Sequence, residues 1–509
     1  MGGIRQVGMP DRMSRRRALK ALGAAGLVGL AGCTGNGDGN DTPTDAGGDG
    51  GATPTETPMN TPTETDGMGG DTPTATSDGG TPTGTTARTD IPTGSGSVRI
   101  GVLQPLSGDL AYYGQQGLWG FLSGLSYKAG QDPPAEVSTG EMTVSVGDLD
   151  YELVIRDTEF TASVAQNAAT NLIQNQDVDM LFGCSSSGSA SRVITTVVNA
   201  TDVPFMVGPA ASADITANSE TCSDQVFRAS ENTAMDARSG GRYVATETDV
   251  SKVYLFGADY SFGRAVVNNY ESVLRSEGIE IVGKRFVERG YSEWDGLLDN
   301  AEEAGAEGIV TGFTVATLPA IFTSFLSGDY SFRAFGGFAT RITNQVIGNT
   351  LKSVLGEPLT MEKLDDADAG PVTTRYHWNQ YDNPINDQFV ESYTGAYGVV
   401  PDLFTSGTFT AASAVHQAIV ESGSTDGSDI AGALKGMTVR DTPKGRNAYT
   451  FQEYNNQARS EMTVADVIPT QDEWADSWGA AIQPSEPRAR IPADRVTIPA
   501  DSPDMNCSL

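Results

Sequence analysis

Histidine is nearly absent from this chain and lysine is scarce, with two and eight respectively in 509 residues. His377 and His416 lie far apart, and the four cysteines at 33, 184, 222 and 507 never form the close pairs that hold a metal. Neither a metal centre nor a cofactor is expected. Lysine and arginine together number 33 against 65 carboxylates, a net charge of −32 spread along the chain. A phosphate backbone must be met by clustered cations, so nucleic acid is excluded as a partner. Also missing is an apolar run of the roughly 20 residues that a bilayer crossing requires. A carboxylate-rich surface with few lysines suits a protein held soluble in concentrated salt, and a halophilic origin is preferred to an ordinary acidic exported protein.

What is present begins with an address. SRRRALK at 14–20 precedes the eleven uncharged residues ALGAAGLVGLA at 21–31, followed by Gly32 and Cys33. A basic start, a short apolar stretch and a small-residue cleavage site make a signal peptide rather than a membrane span. Ser14–Lys20 resembles a twin-arginine export signal, departing from it at Ala18. LAGC at 30–33 resembles a lipoprotein box, which makes Cys33 the expected lipid attachment point on the outer face of the cytoplasmic membrane. Loss of residues 1–32, which carry a net +5, would leave a mature charge of −37. Residues 34–97, rich in Thr, Pro, Gly and Asp, bury too little apolar surface to offset their ordering entropy and are expected to form a disordered tether.

The remainder alternates strand and helix. VRIGVL (98–103), YELVIRD (151–157), VDMLFG (178–183) and VPFMVG (203–208) read as strands, with helices at 114–130, 162–176 and 189–201 between them. A second set opens with SKVYLFG (251–257) and continues through IEIVGKRFV (279–287) and EGIVTG (307–312). Apolar strands spaced by helices imply a parallel sheet covered on both faces, and two such sets imply two doubly wound α/β lobes. In such sheets ligands lie beyond the carboxyl ends of the strands. Four loops stand there: QPLSGDLAYYG (104–114), GCSSSGSAS (183–191), GPAASADIT (208–216) and GADYSFG (257–263). The second opens a helix, where unpaired amides attract an anion. It misses the nucleophile-elbow spacing by one residue, which argues against a hydrolase; the serines could otherwise merely cap the helix.

These loops, taken with IRDTEFTASVAQNAATNLI and KVYLFGADYSFGR, resemble the leucine/isoleucine/valine-binding proteins, type I extracytoplasmic solute-binding components of ABC importers. The order of elements matches from about Val98 to Asp476. The resemblance implies no enzyme activity but two lobes on a three-strand hinge, closing on a small carboxylate-bearing solute, foremost a branched-chain or other amino acid, for delivery to permease subunits. It places lobe 1 at 98–229 and 373–433, lobe 2 at 230–372 and 434–481, and an irregular tail at 482–509. It assigns the ligand's carboxylate to Ser185, Ser186, Ala210 and Ser212, and its body to Tyr113, Phe313 and Tyr260. At the position where amino-acid binders carry an ammonium-pairing carboxylate stands Phe338; Asp259 or Glu293 would have to replace it, or the ligand is an amide, urea or an aromatic acid. A sensory or adhesin receptor of the same fold is the competing function. Cys184 and Cys222 are open to forming a disulfide outside the cell.

Overall fold

The computed structural model describes residues 94–336 and 339–509. The expected signal, the lipid attachment at Cys33, nearly all of the tether and Phe338 fall outside these residues.

The first sheet is built from β1 (Ser95–Gln104), β2 (Gly140–Val146), β3 (Asp148–Asp157), β4 (Met180–Gly183), β5 (Phe205–Val207) and β6 (Val226–Arg228). Its order is β2-β3-β1-β4-β5-β6, with every pair parallel except the β2–β3 hairpin. Val98, Ile100 and Val102 of β1 are fully buried in one core and Leu103 in another, as expected for a strand covered on both faces. One cover is the helix Ala111–Ala129 pressed against the helix Thr405–Ser422. Their close approach depends on Gly120 and Gly124, where a Cβ would stand 2.7 Å from Thr405 O and 2.5 Å from Phe409 O.

The second sheet, all parallel, has the order β10-β9-β7-β8, from β7 (Lys252–Ala258), β8 (Glu280–Val287), β9 (Gly308–Gly312) and β10 (Arg333–Phe335). After β11 (Val372–Thr374) come the short antiparallel strands β12 (Thr438–Val439), β13 (Tyr449–Phe451) and β14 (Ala458–Arg459). Last are β15 (Met462–Pro469) and β16 (Ile482–Ile491), which form an antiparallel sheet with β11.

Three boundaries differ from expectation. β1 begins at Ser95, ahead of the expected start at 98. Residues 434–459 belong to lobe 1: Leu434, Met437, Val439, Tyr449, Phe451 and Ala458 are buried in the same core as β1 and the helix Thr405–Ser422. The expected irregular tail is partly regular, since β16 occupies Ile482–Ile491 and packs Ile482 against Leu351 and Leu364 of lobe 2. Beyond it the chain folds back onto lobe 1. Ile498, Met505 and Cys507 are buried beside Ala213 and Ala217, and Asn506 donates its amide to Ala217 O. Cys507 is disulfide-bonded to Cys222, while Cys184 is free and sealed in the apolar layer around Leu103 and Val207. The proposed Cys184–Cys222 pair is therefore corrected. Pairing was not legible because the partner arrives across 285 residues through the return of a polar-looking tail.

The lobes are joined where the chain passes from β6 to the helix Thr233–Asp236, from β11 to Tyr376, and from β14 to β15. Buried ions stitch these crossings together. Glu231 accepts hydrogen bonds from Lys444 Nζ (2.7 Å), Tyr449 Oη (2.6 Å) and Ser460 Oγ (2.9 Å). Arg375 grips Asp236 through Nε (3.0 Å) and Nη2 (2.6 Å). Burial alone would raise the Glu231 carboxyl, but Lys444 beside it, with the bonds it receives, holds it below the usual carboxylate range.

Candidate functional site

A narrow, partly open cavity lies at the carboxyl ends of both parallel sheets. Lobe 1 contributes Tyr113, Phe160, Ser185, Ser187, Pro209, Ala211 and Phe404; lobe 2 contributes Tyr260, Phe262 and Thr314. The strand ends explain the placement. β4 finishes at Gly183 with φ 130°, where a Cβ would meet Leu103 O at 2.3 Å, so only glycine fits. The Cys184 amide then donates to Leu103 O (2.6 Å) and the Ala210 amide to Cys184 O (3.0 Å), which ties the serine loop between its neighbours. The helix Ser187–Thr196 opens directly beyond it, capped by Ser186 Oγ, which accepts the Ser189 amide.

The cavity wall is aromatic and hydroxylic. The ring of Tyr113 meets Phe404 edge-on at 5.4 Å and lies 6.4 Å from Phe160; Tyr260 lies 6.3 Å from Phe262. Phe160 and Glu159 hold left-handed backbone angles, φ 55° and 52°. Asp157 fixes this turn by accepting the amides of Glu159 (2.8 Å) and Leu106 (2.9 Å). Such strain persists only where surrounding contacts impose it. Tyr113 Oη, Tyr260 Oη and Thr314 Oγ1 are buried and, among the described residues, make no well-formed hydrogen bond, although Tyr260 faces Thr314 and Tyr113 faces the backbone of Val315. Burial pushes both phenols above their ordinary value, so they are neutral donors across physiological pH.

No carboxylate, amine, guanidinium or imidazole stands among the described residues lining the cavity. Asp259 is half exposed and ion-paired with Arg264, and Glu293 is exposed, so neither takes the place of the expected ammonium partner. Asp402, two residues before Phe404, is buried but commits its oxygens to Tyr112 Oη and to the amides of Arg341 (3.0 Å) and Phe404 (3.2 Å).

Of the expected residues, Tyr113, Ser185 and Tyr260 line the cavity, and four of the other described ones do not. Ser186 serves as helix cap. Ala210 and Ser212 present their carbonyls to Arg228 Nη1 (3.1 and 2.6 Å), so that Pro209 and Ala211 face the cavity instead. Phe313 turns into the lobe 2 core against Trp294, ring centroids 5.2 Å apart, leaving Thr314 at the cavity. Phe338 lies outside the described residues. Missed were Phe160, Ser187, Pro209, Ala211, Phe262, Thr314 and Phe404. Phe262 stood inside a quoted loop and was within reach of a strand-end argument; Phe404 had no local signal, since the Thr405–Ser422 helix brings it from another part of the chain.

Comparison with known proteins agrees with this arrangement. No curated protein matches the chain significantly. Among solved structures, an ABC-type branched-chain amino acid transporter protein of Rhodopseudomonas palustris aligns with TM-score 0.61 and 22% identity over 79% of this chain and 98% of its own. An amino acid ABC transporter substrate-binding protein of Pseudomonas fluorescens aligns with TM-score 0.64 and 18% identity over 82% and 100%. A solute-binding protein of Rhodopseudomonas palustris, solved in complex with 4-hydroxybenzoate, aligns with TM-score 0.59 and 17% identity over 78% and 98%. The family model described as periplasmic binding protein matches residues 97–472. With two parallel-sheet lobes, three crossings and an interlobe cavity, the chain belongs to the periplasmic binding protein family, in its type I form.

Proposed function

We propose that this protein is the solute-binding receptor of an ABC importer and that its solute is a small carboxylate with an aromatic or otherwise apolar body and no ammonium group. The observation that carries the ligand class is the cavity wall: five aromatic rings and five hydroxyls, two of them on those rings, without a carboxylate to pair with a cation. A buried ammonium left unpaired costs several kcal/mol, which disfavours the amino acid first expected. Aromatic faces supply the apolar contact, and the free hydroxyls with the first-turn amides of the helix Ser187–Thr196 supply donors for a carboxylate. Relatives of the same fold include proteins solved with 4-hydroxybenzoate, benzoate and 3,4-dihydroxybenzoate, which is consistent with this reading. Export by the twin-arginine route, lipid anchoring at Cys33 and function in high salt complete the proposal. They rest on the sequence alone.

The test is a thermal-shift screen of the mature chain in molar salt against aromatic acids, aliphatic acids, amino acids, amides and urea. A ligand at a hundred times its Kd adds about 2.7 kcal/mol of stability. Shifts with aromatic acids and none with amino acids are expected; the reverse pattern rejects the ligand class while leaving the receptor assignment standing.

A further inference from the structure

Gln104, the last residue of β1, is fully buried behind the serine loop. Its Nε2 donates to Gly208 O at 2.8 Å, which fixes the orientation of the side-chain amide, because the flipped form would set two oxygens against each other. Its Oε1 then accepts the hydroxyl proton of Ser185, also at 2.8 Å. A serine hydroxyl has one proton, and here it is spent away from the cavity. Ser185 therefore meets a ligand only with lone pairs. Its neighbour two residues on is the opposite: Ser187 Oγ accepts the Ser212 amide at 3.0 Å and keeps its proton to give. Tyr113 also carries an unspent hydroxyl proton, and the facing pair Tyr260 and Thr314 holds two protons, of which their mutual contact can use only one. The cavity wall is thus polarised, with one committed acceptor among several donors.

We infer that Gln104 is a positioning residue which makes Ser185 an obligate acceptor, so that the preferred solute carries a neutral hydrogen-bond donor besides its carboxylate: a hydroxylated aromatic acid. This rests on the aromatic-acid reading above. A plain acid offers Ser185 nothing to accept, and a buried acceptor left unmatched is penalised. Sites built around a substrate hydroxyl discriminate strongly against the analogue that lacks it.

Titration calorimetry of the mature chain with benzoate and its 2-, 3- and 4-hydroxy derivatives tests the inference. At least one hydroxylated isomer binds about tenfold or more tighter than benzoate. Ser185→Ala and Gln104→Met, the latter freeing the serine proton, each bring that ratio to within about threefold. The ratio is a readout that a general loss of folding would not selectively move. Benzoate binding as tightly as every isomer, or a preference that survives in Ser185→Ala, overturns the inference and leaves the aromatic-acid reading intact. Silence with all four acids overturns both.

Discussion

The cavity and the hinge are built from neighbouring stretches of chain, yet their chemistry is opposite. Ala211 lines a cavity without a carboxylate, amine, guanidinium or imidazole, and Arg228, whose guanidinium reaches the carbonyls on either side of Ala211, is fully buried just behind it. At the hinge the pairs are complete: Glu231 with Lys444, and Asp236 with Arg375, each side chain no more than 5% exposed. In the cavity the polar groups are neutral and several have no partner. Fixed charges, fully matched, hold the crossings in register, while unmatched hydroxyls leave recognition capacity for a solute. Burial pulls the guanidinium of Arg228 down to about 9, yet four bonds from its side chain, to Gln457, Ala210, Ser212 and Thr216, keep the Pro209–Ser212 loop in place.

The largest effect should follow from breaking the hinge side. Lys444→Met leaves Glu231 buried without its cation, and a loss of about 3–5 kcal/mol is expected by urea unfolding. The double variant with Glu231→Gln should recover much of it. A single variant as stable as the parent would show that the network does not hold the crossings. The cavity side should behave the other way. Thr314→Val and Tyr260→Phe remove hydroxyls that lack protein partners, so stability should stay within about 1 kcal/mol of the parent. Affinity for the solute should fall, by an amount of order tenfold for a lost hydrogen bond. A large stability loss from either would mean these hydroxyls are structural and would erase the distinction.

The same contrast explains how much was legible in the sequence. The two lobes and most of their parallel strands come from apolar runs long enough to specify buried strands, and they were read; the order of strands within each sheet was not. The loops that carry Tyr113, Ser185 and Tyr260 were legible because strand ends converge by topology, and the family resemblance singled out these residues within them. The misses within those loops are slips of one residue. Ser187 lines the cavity where Ser186 was expected, Pro209 and Ala211 where Ala210 and Ser212 were, and Thr314 where Phe313 was. In an extended segment successive side chains point to opposite sides. Which side faces the cavity is decided by distant partners: Arg228 for the 209–212 loop and Trp294 for Phe313. Neither announces itself locally. The hinge network was invisible for the same reason, since Glu231, Lys444 and Ser460 meet across more than 200 residues.

The central claim, that the cavity takes an acid but not an ammonium, is tested most directly by matched pairs in titration calorimetry: 3-phenylpropionate against phenylalanine, and 4-methylpentanoate against leucine. Within each pair the molecules differ only by the α-ammonium group. The account predicts that a plain acid of at least one pair binds and that its amino acid binds a hundredfold or more weaker, as expected for several kcal/mol of unpaired charge. Amino acids binding as tightly as their plain acids would contradict it.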